Sequence, residues 1–228
     1  MTIRLPKRLK SRYLAHSPED RMKTLKAELE AEVRHLLAIA PQTVTKVVLM
    51  DGARGLWKYV TMAGSLFKDW VHIIDFHHAC DTLSKLAEWI FGKDNSDGKV
   101  WYRKYRRILL EKENGVRSLI RSIDYPISLL PESKQKQKRS KRGFFVHNAR
   151  RMNYALYRKQ GLPIGSGPVE AGCKTIVKAR LCCSGMCWTR ERAQHVLRIR
   201  TMIKNQRWNI VWNLCKYATV RNTKGATN

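Results

Sequence analysis

Apolar residues recur along most of this chain at helical spacing, and in two places they contract into short unbroken runs. Met22, Leu25, Leu29, Val33 and Leu36 keep a three-to-four-residue period to about Ala40, which predicts an amphipathic helix. Ser17-Pro18-Glu19-Asp20 supplies its start, with Ser17 as N-cap, Pro18 in the first helical position and acids in the first turn. Pro41 ends it. Thr43 to Met50 (TVTKVVLM) is then a β-branched run that predicts a buried strand, and it leads straight into Asp51-Gly52-Ala53. Val71-His72-Ile73-Ile74 predicts a second strand, which also ends in an acid, Asp75. A helix is expected after each: Arg54 to Ala63, then one opening at Phe76-His77-His78-Ala79-Cys80, with Leu83, Leu86, Ala87 and Ile90 inward and Gly92 closing it. Two strand–Asp–helix units in succession predict a parallel α/β core, and the C-terminal tip of a strand is where such folds place their chemistry. Two roles are open to each acid at this point: Asp51 as a turn residue and Asp75 as an N-cap, or both as members of a site.

From Lys99 to about Gln160 the strand signal vanishes. Val100, Trp101, Tyr105, Ile108 and Leu109 predict one helix, Val116, Leu119, Ile120 and Ile123 a second, and Phe144 to Gln160 a third. Pro126 and Pro131 bracket a break, and residues 133–143 (SKQKQKRSKRG) form a basic, low-complexity loop. Gly161 is the natural end of the third helix. Then comes Leu162-Pro163-Ile164-Gly165-Ser166-Gly167-Pro168-Val169-Glu170, a rigid turn that delivers a carboxylate into the first turn of a helix running to Cys182. On an α-helix Glu170, Lys174 and Lys178 share one face. That face suits either ordinary ion pairing or a metal ligand beside a phosphate backbone. After the turn Cys183 to Trp188, Thr189 caps a further helix with Val196, Leu197, Ile199 and Ile203 apolar and Arg192, Arg198 and Arg200 polar; Trp208 and Trp212 lie in a last helical segment, and 219–228 read as a frayed tail. The chain thus reads as a basic segment and helix over 1–40, an α/β part over 41–98, a helical block over 99–160, and a closing helical region over 161–218.

Charge changes this picture most. The formal net charge is +27, which points to a polyanion partner. It is unevenly spread: residues 51–98 hold 5 basic and 7 acidic side chains, residues 99–160 hold 18 and 4, and residues 161–228 hold 12 and 2. An acidic centre inside a very basic chain is what a metal-dependent nuclease-type enzyme needs, since carboxylates hold cations and the surround holds nucleic acid. A purely structural nucleic-acid binder has no need of that centre, and a basic RNA-associated protein leaves it unexplained. The six cysteines form no CxxC pair, so a zinc site has little support. No signal-peptide pattern opens the chain, and reduced thiols in a cytosolic setting are expected. No apolar run approaches the length of a membrane span.

The run LPIGSGPVEAGCKTIVKARLCCSGMCWT, with VVLMDGARGLW and IIDFHHACDTL upstream, resembles the DDE transposases of bacterial insertion sequences, most of all the Kra-type group related to the Mutator-like transposases. The resemblance covers roughly residues 40–215. It implies a ribonuclease-H-like α/β core, with a large all-helical insertion between the second catalytic Asp and the catalytic Glu. By resemblance Asp51 is that Asp and Glu170 that Glu, with 118 residues between them. Asp75 and His78 match a D-x-x-H motif near the active site. The family's earlier Asp has no counterpart, since Asp20 is the only Asp before Asp51 and no strand precedes it. The chain therefore resembles the C-terminal part of a transposase, lacking the first strands of the core, such as one product of a split or frameshifted gene.

The activity so implied is metal-dependent cleavage and transfer of DNA strands. A pair of Mg²⁺ or Mn²⁺ ions would be held by Asp51 and Glu170, with His78 at the scissile phosphate or in a structural role. Lys174, Lys178, Arg180 and Arg192 would steady the DNA backbone together with Lys134, Lys136, Lys138 and Arg139 of the basic loop. Trp188 would stack on a base or pack in the core. The implied partners are transposon ends and target DNA, an upstream-encoded fragment, and further copies in a homo-oligomeric active complex, all in the bacterial cytoplasm at the nucleoid. The alternative is a catalytically inactive, non-sequence-specific DNA-binding remnant. The charge distribution carries its own prediction. If about six phosphates are neutralised, log K for DNA falls with log salt at a slope near about −5, which a salt titration of duplex binding measures. Replacing Lys134, Lys136, Lys138 and Arg139 with Ala should weaken binding to all sequences alike.

Overall fold

The computed structural model describes residues 11–128, 141–213 and 215–216. The chain divides into two compact units, whose described parts span residues 43–166 in the first and 11–42 with 167–216 in the second.

The first unit holds the sheet. β1 (Val47–Met50) and β2 (Val71–Ile74) pair in parallel, with Val47 opposite Val71 and Met50 opposite Ile74. β1 is shorter than the run Thr43 to Met50 predicts because β2 offers only four residues to pair with; the ladder closes at Lys46, whose carbonyl accepts from Val71 N at 2.9 Å. α2 (Arg54–Thr61) follows β1, and α3 (Phe76–Phe91) follows β2, ending at Gly92 with φ 97°. α4 (Ser96–Glu111) starts from Asn95, whose side-chain oxygen accepts from Asp97 N and Gly98 N, and α5 runs from Gly115 to Ser128, two residues past Pro126. α3 packs on α4, and α4 on α5 and on α7 (Tyr154–Lys159). Ile73, Ile74, Leu83, Leu86, Leu109, Leu119 and Ile123 lose all or nearly all their surface there, each contributing about 1.5–3 kcal/mol.

The single helix expected over 144–160 is broken into three pieces: α6 over residues 141–148, a 3₁₀ turn over Ala149–Arg151, and α7. Two asparagines account for the break. Asn148 turns its Nδ2 back onto the Phe144 carbonyl at 2.9 Å, and Asn153 accepts from Asn114 N at 3.3 Å. Side chains that bond nearby backbone compete with the helix. α7 ends as expected at Gly161, which takes φ 70° while Leu162 N donates to the Tyr157 carbonyl and Gly161 N to that of Arg158, a Schellman ending.

In the second unit α1 runs from Lys23 to Ile39. Ser17 does not cap it. Ser17 is buried and gives its N–H to Gln194 Oε1 at 2.6 Å, while the helix is entered through Arg21 and Met22 in left-handed conformation and Glu19 accepts from Leu25 N. α1 buries none of its residues fully; Glu32 fastens it, accepting from both guanidinium nitrogens of Arg207, at 2.9 and 3.2 Å, with Arg12 Nε 3.4 Å away. α8 (Gly167–Gly172) passes without interruption into a π-helix over Cys173–Lys178 and a last α turn, α9 (Ala179–Leu181). α10 spans Arg190–Lys204 from its N-cap Thr189, and α11 covers residues 208–213.

The extended segment before α1 is held by one side chain. Asn205 Oδ1 accepts from Tyr13 N and Asn205 Nδ2 donates to the Tyr13 carbonyl, both at 2.8 Å. The Tyr13 ring lies against Gly172, where a β-carbon would stand 2.9 Å from it. Asn205 is buried, so replacing it with Ala strands a donor and an acceptor. Asn205→Ala should cost about 2–3 kcal/mol, read as a lower urea midpoint with unchanged slope.

Candidate functional site

Parallel pairing of β1 with β2 brings two acids to one end of the sheet. Asp51 follows Met50 and Asp75 follows Ile74, the last register pair, and Asp75 N donates to the Met50 carbonyl at 2.8 Å. Their surroundings differ sharply. Asp51 is exposed; its Oδ1 accepts from Ala53 N at 2.9 Å, and its carbonyl accepts from Trp57 Nε1. Its other oxygen makes no hydrogen bond among the described residues, which suits a hard divalent cation.

Asp75 is 3% exposed and spends both oxygens on backbone. Oδ1 accepts from His78 N at 2.9 Å, capping α3, and Oδ2 accepts from Ser166 N. Beside it Phe76 N donates to the Ile164 carbonyl at 2.8 Å, and Gly165 lies against the His77 ring. The glycine–serine–glycine loop that precedes α8 is thus latched to the sheet by Asp75. Burial pushes this carboxyl up, but the hydrogen bonds from Ser166 and His78 outweigh it and hold it below its ordinary value. As an N-cap with no free oxygen, Asp75 supports the site rather than offering a ligand.

His78, exposed, has its ring 5.9 Å from that of Phe144. The Phe144 ring also covers Gly52, where any β-carbon would collide with it. Phe144, the first residue after the basic loop, therefore joins α6 to the Asp51 turn and to His78. Neither the sequence motifs nor the helical period singles it out; the only signal is Gly52, which a close approach requires. Cys80 is buried beneath the site, and burial pushes its thiol up to about 11, leaving it an inert core residue.

Glu170 belongs to the second unit. It is exposed in the first turn of α8 and forms no ion pair among the described residues, with Lys174 or otherwise. The stripe of Glu170, Lys174 and Lys178 does not run straight as an α-helix would carry it. From Cys173 to Lys178 the helix is π, which turns less per residue. Arg200 of α10 explains how the wider turns are held: its guanidinium donates to the Ile176 carbonyl at 2.8 Å and to that of Thr175. Lys174, Lys178, Arg180 and Arg192 are all exposed, as is Trp188, at 40%. Lys134, Lys136, Lys138 and Arg139 lie outside the described residues. Among the described residues no three His, Cys, Asp or Glu side chains cluster as metal ligands, and no helix is long and apolar enough to cross a membrane. The chain matches no protein-family model, no curated protein and no solved structure.

The Asp75 latch makes stability depend on pH in a stated direction. A carboxyl lowered in the folded state stabilises above its unfolded value, ordinarily 3.8, and that contribution is lost as pH falls through the lower folded value. Asp75→Ala should cost about 2–4 kcal/mol at neutral pH, because two backbone N–H groups lose their acceptor. The wild type should lose part of this advantage as pH drops below about 4. Urea midpoints of both proteins from pH 7 to acid measure the convergence.

Proposed function

We propose that this chain is a transposase of a bacterial insertion sequence, or a fragment of one, with a ribonuclease-H-like core interrupted by a helical block. The observation that carries the reading is the in-register parallel pair of strands that sets Asp51 and Asp75 side by side, with Asp75 latching the loop that leads into the Glu170 helix. The acidic window inside a chain of net charge +27 supports it, as does the resemblance of the three motif runs. In this reading Asp51 and Glu170 hold divalent metal ions, which when bound supply the activation of an attacking oxygen and the neutralisation of a leaving one. Asp75 keeps the loop and the start of α3 in place, His78 faces the scissile phosphate, and the exposed cations of the α8–α10 region carry the DNA backbone. Its partners are transposon ends, target DNA and further copies of the chain.

One observation favours the second reading, an inactive DNA-binding remnant. Asp75 has no free oxygen, so Asp51 and Glu170 are two carboxylates where the reading calls for three. A strand ending in Asp, encoded upstream, would complete the set. Residues 1–228 alone should then bind DNA but neither nick nor join it in Mg²⁺ or Mn²⁺. Fusion to that upstream strand should bring cleavage at transposon ends, abolished by Asp51→Asn and by Glu170→Gln, on a gel of end-labelled DNA. Cleavage that survives both substitutions would remove Asp51 and Glu170 from the site. A fusion that binds but never cuts would leave the remnant.

A further inference from the structure

Near the C-terminal end of the described chain, two tryptophans stand where a core would be expected to claim them. Trp208 and Trp212, one helical turn apart on α11, are 40% and 52% exposed. Their rings are near parallel, with centroids 6.5 Å apart and planes at 26°. The Lys216 ammonium lies over the Trp212 ring, 5.8 Å from its centroid. Residues 192–228 contain 8 Lys and Arg and no Asp or Glu, and Arg198 and Lys204 are exposed. Large flat apolar faces interleaved with cations, in a segment without acids, complement a ligand that is itself flat rings strung on phosphates.

We propose that the Trp208–Trp212 pair is a stacking platform for the unpaired bases of a single-stranded nucleic acid. Base-paired DNA keeps its ring faces inside the stack and offers only phosphates to such a surface, whereas a single strand exposes ring faces that any base provides. The proposal does not rest on the transposase reading. It requires no sequence preference, because stacking is tolerant of base identity.

The test uses the full chain with oligothymidylate of about 16 nucleotides and, separately, a duplex of the same length. Trp208→Ala with Trp212→Ala should weaken oligothymidylate binding by about tenfold or more and leave duplex affinity unchanged. Trp208→Phe with Trp212→Phe should keep most of the affinity, which a folding defect would not allow. The loss should persist across a salt series, since stacking releases no counterions. Equal binding of oligothymidylate by the wild type and the Ala pair would overturn the proposal. So would an equal loss for duplex and single strand, or wild-type protein that binds no single strand. If the Ala pair instead turns a dimer into a monomer in sedimentation while single-strand affinity holds, the rings are a protein contact and the proposal fails.

Discussion

A buried carboxylate must be given partners or give up its charge, and Asp75 resolves that demand by accepting from two backbone N–H groups far apart in sequence. One belongs to His78, at the start of α3, and the other to Ser166, 91 residues after Asp75 itself. Closing a loop of that length has an entropic cost that grows only slowly with length, and the packing of α4 on α3 and of α7 on α4 shares with this charge-assisted pair and the Phe76–Ile164 backbone bond in returning the chain to the sheet. The start of α3, the end of the helical block and the turn before α8 all take their positions from it. Asp51, on the neighbouring strand tip, is exposed.

The second unit is held in a similar manner by Asn205, Glu32 and Arg200. Each uses a forked polar group to satisfy a remote partner: Asn205 the backbone of Tyr13, Glu32 the guanidinium of Arg207, Arg200 two carbonyls of the π-helix. Fully buried apolar side chains are sparse here, with Ile176 and Leu197 the two described examples, so polar partners carry more of the load than in the first unit.

Much of the first unit was legible in the sequence because its signals are local. Val71 to Ile74 is a β-branched run ended by an acid, and Gly92 and Gly161 mark helix ends through the conformations only glycine adopts freely. The parallel pairing followed from two strand–Asp–helix units in a row. What the sequence hid depends on distant partners. Ser17 has the composition of a cap, yet Gln194 claims its backbone. The run Phe144 to Gln160 has a helical period, yet Asn148 and Asn153 bond elsewhere. The contact of Phe144 with Gly52 and His78 joins residues some 90 and 70 positions apart, and no periodicity marks it. Of the candidate site, the acids and their strand tips were readable; the division of labour between Asp51 and Asp75 was not, since it rests on which of the two is buried.

The π-helix after Gly172 is equivalent to an α-helix carrying one surplus residue. Its effect is one of phase. Each residue of an α-helix advances the side chain by about 100°, so everything beyond Lys178 is rotated relative to Glu170 by about that amount compared with an uninterrupted helix. Arg180 therefore faces a direction set by the surplus residue as much as by its place in the chain. Arg200 bonds the carbonyls of Thr175 and Ile176, within the wide turns. Deleting Thr175, Ile176 or Val177 would change no charge, yet it would swing this cationic rim by nearly a third of a turn.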